Sequence, residues 1–129
     1  EQTLMELASV VSDPTPKLIL ADELEAITEP GAGARIIAGM LLAARAQKDT
    51  SMMLVTHLAP AIIEASGVDD FRVDGIEARG LDSDLELIVD RTPIRNHLAR
   101  STPELIVKRL VERSNGHAKS LFDDILQMF

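Results

Sequence analysis

The chain has 129 residues, of which 46% are apolar and only three are aromatic, and 21 acidic residues against 13 Lys and Arg give it a net charge of −8. The length suits one domain with an aliphatic core, and the negative charge disfavours a surface that neutralises nucleic-acid phosphates directly. Because the chain has no cysteine, disulfides, thiolate metal sites and cysteine nucleophiles are also excluded.

Targeting signals are not evident in the sequence. It has neither a basic segment followed by an apolar one nor an apolar run long enough to cross a bilayer. We therefore expect a cytoplasmic protein that does not enter membranes. The first residue is Glu1 rather than Met, which predicts that the chain is cut from a longer one. Its acidity suits both a high-salt cytoplasm and ordinary solubility.

The first third of the chain predicts a helix, a strand and a second helix. Residues 3–12 carry apolar side chains at helical spacing before a proline forbids continuation. The apolar run KLILA at 17–21 is typical of a strand covered on both faces, which suggests a parallel sheet. Proline and glycine at 30–33 predict a break, so the second helix is expected over 34–47.

The middle of the chain continues this alternation and then changes character. MMLVT at 52–56 predicts a second buried strand, followed by a helix that Pro60 can start. The order helix, strand, helix, strand, helix favours a layered α/β fold. FRVDGIEA at 71–78 and DLELIVD at 84–90 alternate apolar with polar residues, which predicts an antiparallel hairpin, and Thr102 is a candidate N-cap for the helix that follows.

Polar side chains follow both predicted buried strands. Asp22 and Glu23 end the first strand, and His57 ends the second. Because open α/β sheets gather ligands at the carboxyl ends of their strands, we expect these residues to form one site. One carboxylate can hold the water shell of Mg²⁺, the other can orient or deprotonate an attacking water, and the imidazole can donate to a phosphate oxygen or to that water. A polar loop start and a solvated histidine are the alternatives.

The segments LILADE at 18–23 and MLVTH at 53–57 resemble the Walker B strand and the histidine switch of the ABC-type ATPases. Their details resemble the MutS mismatch-repair branch, in which a loop containing threonine follows the acids, and Thr28 lies at the expected place. The glycine-rich loop of the better-known MutS proteins is replaced here by LEAITEPGAGA, which indicates a divergent branch. The resemblance covers mainly residues 1 to about 66.

The resemblance implies a partial P-loop NTPase of the ABC type. Its fold would be a three-layer α/β sandwich with a mainly parallel sheet, plus a C-terminal antiparallel hairpin and helices. ATP and Mg²⁺ are the implied cofactors. Asp22 would serve Mg²⁺ through water, Glu23 the lytic water, His57 the γ-phosphate, and Thr28 the loop facing a partner subunit. The complete protein would be a homodimer with two ATP molecules bound between its ATPase domains. ATP hydrolysis would drive changes in how the dimer clamps DNA.

The phosphate-gripping motif G-x-x-x-x-G-K-[ST] does not occur in the sequence. In the family that motif precedes the Walker B strand, so residues 1–129 are expected to be the C-terminal part of the ATPase domain. The missing N-terminal part of that domain is then the first expected partner, and DNA is expected to bind through other domains. The apolar stripe of the last segment either packs back on this domain or forms a dimer face, and a protein contact is favoured because the family's C-terminal region promotes association. Its residues are Leu121, Phe122, Ile125, Leu126 and Phe129.

Two other functions remain open for the sequence. One is a Mg²⁺-dependent carboxylate domain of the Toprim-like kind that acts as a nuclease or in phosphotransfer, and the other is a non-catalytic dimerisation module. Asp82, Asp84 and Glu86 could hold a cation, although a polar hairpin turn explains them better. The three histidines are too scattered for a zinc site, and His97 is expected in a solvated basic loop.

Overall fold

The chain divides into two compact units, Glu1–Phe71 and Arg72–Phe129. The computed structural model describes every residue except for the side chain of Glu25. The site residues that the sequence predicts all belong to the first unit.

The first unit follows the predicted order of helices and strands. A one-turn 3-10 helix at Leu24–Ile27 lies between its first strand and its second helix. The regular elements are α1 (Gln2–Ser12), β1 (Lys17–Asp22), α2 (Pro30–Ala46), β2 (Thr50–Val55) and α3 (Ala59–Ser66).

Strands β1 and β2 form a parallel two-stranded sheet in which Lys17 pairs with Thr50 and Asp22 pairs with Val55. A parallel pair needs a crossover of a dozen or more residues, and α2 supplies it. Both strands therefore point the same way, and their carboxyl ends lie at one edge of the sheet.

The hydrophobic core lies on one face of this sheet. One cluster joins α1, β1 and α2 through Val11, Ile19 and Ala44. A second cluster joins α2 to α3 and includes Ile37, which is only 1% exposed, together with Ile62. Small residues of α2, among them Ala34 and Ala38, allow the helices to pack closely.

The opposite face of the sheet carries exposed aliphatic side chains. Leu18, Leu20, Met53 and Val55 are each between 61% and 68% exposed. In this chain β1 is therefore covered on one face only, whereas the sequence predicts a strand covered on both. Side chains alternate along a strand, so the same run that buries Ile19 displays its neighbours on the other face.

Helix α2 begins earlier than predicted, because Pro30, Gly31 and Gly33 lie inside it instead of breaking the chain. Proline is favourable at the first helical position, where its missing N–H would have no intrahelical partner. The Glu29 carboxylate caps the helix by accepting a hydrogen bond from the Ala32 N–H at 3.1 Å.

The second unit contains two small antiparallel sheets and two helices, and it departs from the predicted hairpin. The hairpin exists, but it is shorter and pairs β4 (Ala78–Leu81) with β5 (Leu87–Val89), while Asp74 and Gly75 pair instead with a later segment, β6 (Ile94–Arg95). Its elements are β3 (Asp74–Gly75), β4 (Ala78–Leu81), β5 (Leu87–Val89), β6 (Ile94–Arg95), α4 (Pro103–Arg113) and α5 (Gly116–Leu126).

The acidic turn of this hairpin has a structural role. The Asp82 carboxylate accepts hydrogen bonds from the N–H groups of Asp84 at 2.8 Å and Glu86 at 2.9 Å, which closes the turn. Glu86 forms ion pairs with Arg109 and Arg113 on α4. The three acids are thus accounted for by the hairpin and its packing on α4.

Helix α5 packs against α4, yet none of its residues is buried. Leu121 is exposed on this helix, and Met128 and Phe129 are exposed just beyond it. Across the described residues, no helix is both long and apolar enough to cross a membrane.

Candidate functional site at the carboxyl ends of β1 and β2

The predicted site residues Asp22, Glu23 and His57 follow the ends of two adjacent parallel strands. Asp22 is the last residue of β1, and its register partner Val55 is the last residue of β2. Asp22, Glu23 and His57 are all exposed. They therefore emerge into solvent at the same edge of the sheet.

Glu23 has an unusual backbone conformation, with φ 55° and ψ 33° in the left-handed region. A residue with a Cβ atom adopts this conformation at a cost of roughly 1–2 kcal/mol. The carbonyl of Glu23 accepts a hydrogen bond from the Ala26 N–H at 3.4 Å, so the chain turns at once into the 3-10 helix. This turn ends β1 abruptly and presents Glu23 next to Asp22.

Thr28 lies farther along the chain, on the other side of the 3-10 helix. It is exposed, has an extended backbone at φ −157°, and precedes Glu29, the cap residue of α2. Its position is thus at the entry to α2 rather than at the end of a strand.

The connection from β2 to α3 is short and held by a threonine hydroxyl. The Thr56 Oγ1 atom accepts a hydrogen bond from the Leu58 N–H at 3.0 Å. Leu58 is the N-cap residue of α3, and its side chain packs on the core cluster that joins α2 and α3. His57 lies between these two residues. The sequence pattern does not predict this hydrogen bond of Thr56.

A shallow depression of about 240 Å³ adjoins the acidic edge on the uncovered face of the sheet. Among the described residues that line this depression, Asp22 is the only charged one, and the others are apolar. The lining residues are Leu20, Ala21, Asp22, Met53 and Val55.

Among the described side chains, no group of three or more His, Cys, Asp and Glu residues could hold a metal ion. Mg²⁺ is commonly bound by one or two carboxylates, with water and substrate oxygens as its other ligands. Asp22 and Glu23 are the residues at this edge that could supply such carboxylates to a Mg²⁺ ion.

His97 makes a specific contact instead of lying in a solvated basic loop. Its Nε2 atom is 2.8 Å from Oε2 of Glu77, and the Arg100 guanidinium is 3.6 Å from Oε1 of the same carboxylate. The hydrogen bond from His97 holds the pKa of Glu77 below its usual value. These partners explain His97 by contacts within the second unit, so we assign it no site.

Comparison with known proteins gives one informative similarity. The chain is 44% identical over all of its 129 residues to the DNA-binding protein MutS2 of Pyrococcus furiosus. It spans 22% of that protein's length. No family model and no solved structure matches the chain.

Proposed function

We propose that the chain is the C-terminal part of the ATPase domain of a MutS2-like DNA-binding protein that acts in DNA repair. The 44% identity to MutS2 extends over all 129 residues of the chain, which supports this relationship. The observation that carries the ATPase assignment is the shared edge of β1 and β2, from which two adjacent carboxylates and a histidine emerge.

Each site residue has a role that its chemistry allows. Glu23 orients the attacking water and accepts its proton, which requires a carboxylate within hydrogen-bond reach of that water. Asp22 holds Mg²⁺ through water, and His57 donates a hydrogen bond to the terminal phosphate of ATP. Bound Mg²⁺ would neutralise charge on the phosphate oxygens. Thr28 lies in the loop that faces a partner subunit.

The uncovered sheet face supports the existence of a further layer in the complete protein. Parallel sheets occur almost only with both faces covered, whereas Leu18, Leu20, Met53 and Val55 are exposed here. The N-terminal part of the same ATPase domain would cover this face and supply the loop that grips the ATP phosphates.

DNA binding and dimerisation belong to the complete protein. The net charge of −8 disfavours phosphate contacts by this segment, so other domains bind the DNA. A homodimer would bring two ATPase domains together. The exposed apolar residues at the end of the chain, Leu121, Met128 and Phe129, are candidates for such a protein contact.

The decisive experiment replaces Glu23 by glutamine in the complete protein. We expect Glu23→Gln to keep ATP binding and to lower kcat for ATP hydrolysis by about 10²-fold or more, because general-base catalysis contributes about that much. ATP binding would be measured by equilibrium titration and turnover by phosphate release.

The matched control is Glu64→Gln, because Glu64 is also an exposed glutamate of the first unit but lies on α3 away from the strand ends. It should hydrolyse ATP at the wild-type rate. Wild-type turnover in the Glu23→Gln variant would overturn the catalytic assignment.

A further inference from the structure

We propose that Thr56 is a positioning residue for His57, acting through the hydrogen bond that its hydroxyl accepts from the Leu58 N–H. This inference rests on the proposed ATPase function, in which His57 contacts the terminal phosphate. It adds a residue whose hydroxyl fixes the direction of the imidazole without touching the substrate.

The two ends of the connection are firmly held. On one side, Val55 is paired in register with Asp22. On the other side, Leu58 packs on the core of the first unit, and its carbonyl accepts the Ile62 N–H at 3.0 Å to start α3. Only Thr56 and His57 lie between these anchors.

The hydroxyl closes this connection into a tight turn. A threonine side chain that accepts from the N–H two residues later restricts the backbone of the residue between them. His57 is the residue between Thr56 and Leu58. The bond between Thr56 and Leu58 therefore sets the backbone from which the imidazole leaves the sheet edge.

Valine and serine separate the shape of Thr56 from its hydrogen bond. Thr56→Val keeps the branched shape and removes the acceptor, whereas Thr56→Ser keeps the acceptor. In the complete protein we expect Thr56→Val to lower kcat for ATP hydrolysis about tenfold to a hundredfold, because small misplacements of a reacting group have effects of that size. The KM for ATP should stay within about twofold, and Thr56→Ser should restore kcat to within about threefold of wild type.

Hydrogen exchange tests the turn without reference to catalysis. The Leu58 amide should exchange about tenfold faster in Thr56→Val, which corresponds to the loss of roughly one hydrogen bond. Thr102→Val is the matched control, since Thr102 also precedes a helix but makes no side-chain cap hydrogen bond. It should leave turnover and exchange at Leu58 unchanged. If Thr56→Val does not fold, Thr56→Ala takes its place.

The outcomes distinguish this inference from the proposed function. If His57→Ala loses turnover while Thr56→Val keeps the wild-type kcat, the positioning role is wrong and the ATPase assignment stands. If Thr56→Val loses turnover and Thr56→Ser does not restore it, the positioning role is also wrong. If His57→Ala hydrolyses ATP like wild type, the assignment of His57 fails, and the positioning role fails with it.

Discussion

At the scale of single residues, Glu23 combines a strained backbone with a candidate catalytic carboxylate. Its φ of 55° places a residue with a Cβ atom in the left-handed region, directly after the last residue of β1. Such conformations cluster at functional sites, where the geometry that they create is used. At Glu23 the conformation also forms the turn into the 3-10 helix, so it places the side chain directly after β1.

Replacing Glu23 by glycine and by alanine measures this strain, because both changes remove the carboxylate. In the left-handed region glycine has no Cβ penalty, so Glu23→Gly should be more stable than Glu23→Ala by about 1 kcal/mol. At Glu64, inside α3, the order should reverse, with glycine about 1 kcal/mol less stable than alanine. Urea unfolding of the four variants checks both signs. Equal stability of the two Glu23 variants would contradict the strain.

Arg45, in the last turn of α2, makes a two-pronged ion pair with Asp70. Its Nη1 donates to Asp70 Oδ1 at 2.6 Å and its Nη2 donates to Oδ2, while its guanidinium lies 5.6 Å from the centre of the Phe71 ring. The hydrogen bond from Arg45 lowers the pKa of Asp70 below its ordinary value of 3.8. The ion pair between Arg45 and Asp70 therefore links the end of the first unit to α2.

The lowered pKa predicts how the stabilisation by Asp70 depends on pH. A depressed folded pKa means that the stabilisation is present above the ordinary pKa of 3.8 and is lost as pH falls through the folded value. Asp70→Asn should thus lower the melting temperature near neutral pH, and the difference from wild type should shrink below pH 3.8. Melting curves across this pH range test the prediction, and the same substitution at the neighbouring aspartate, Asp69→Asn, is the control. A difference that does not vary with pH would argue against the ion pair.

At the scale of elements, local patterns predicted the helices and strands of the first unit well and the pairing of the second unit poorly. The aliphatic runs around Ile19 and Met52 are long enough to define strands. In the second unit, Asp74 and Gly75 looked like the start of the hairpin but pair with β6. A Cβ at Gly75 would lie 2.5 Å from the His97 carbonyl, so this pairing depends on a close approach between distant segments that no local pattern shows.

Caps and turns show the same limit at element boundaries. The sequence predicts a break at Pro30, yet Pro30 starts α2, and the Glu29 carboxylate accepts a hydrogen bond from the first turn. The acidic turn of the hairpin was correctly interpreted as structural, since Asp82 accepts two backbone N–H groups. A sequence predicts a turn well where one side chain accepts hydrogen bonds from the backbone next to it. It predicts a helix boundary less well at proline, because proline can either break a helix or start one.

At the scale of the whole molecule, the β1–β2 sheet stands out because one of its faces exposes aliphatic side chains. Its four aliphatic side chains would be unusual on a free parallel sheet. The chain spans only 22% of its MutS2 relative, which leaves room for a covering layer elsewhere in a longer protein.

Opposite faces of β1 give a direct test of that layer. Leu20→Gln should change the free energy of unfolding of the 129-residue chain by less than about 0.5 kcal/mol, as exposed sites usually do. In the complete protein the same change should destabilise by about 2 kcal/mol or more, because it places a polar group under the covering layer. Ile19→Gln on the buried face should destabilise both forms. Equal effects of Leu20→Gln in the two forms would count against the covering layer.

Sequence patterns predict the order of helices and strands in the first unit and suggest the residues of the candidate site, because hydrophobic periodicity and strand-end chemistry are local properties of the chain. LILADE and MLVTH also indicate the resemblance to MutS proteins. The pairing of the strands, the exposed face of the sheet and the hydrogen bond of Thr56 next to His57 become visible only in the folded chain. These features arise from contacts between segments far apart in sequence and from backbone geometry, neither of which residue spacing encodes.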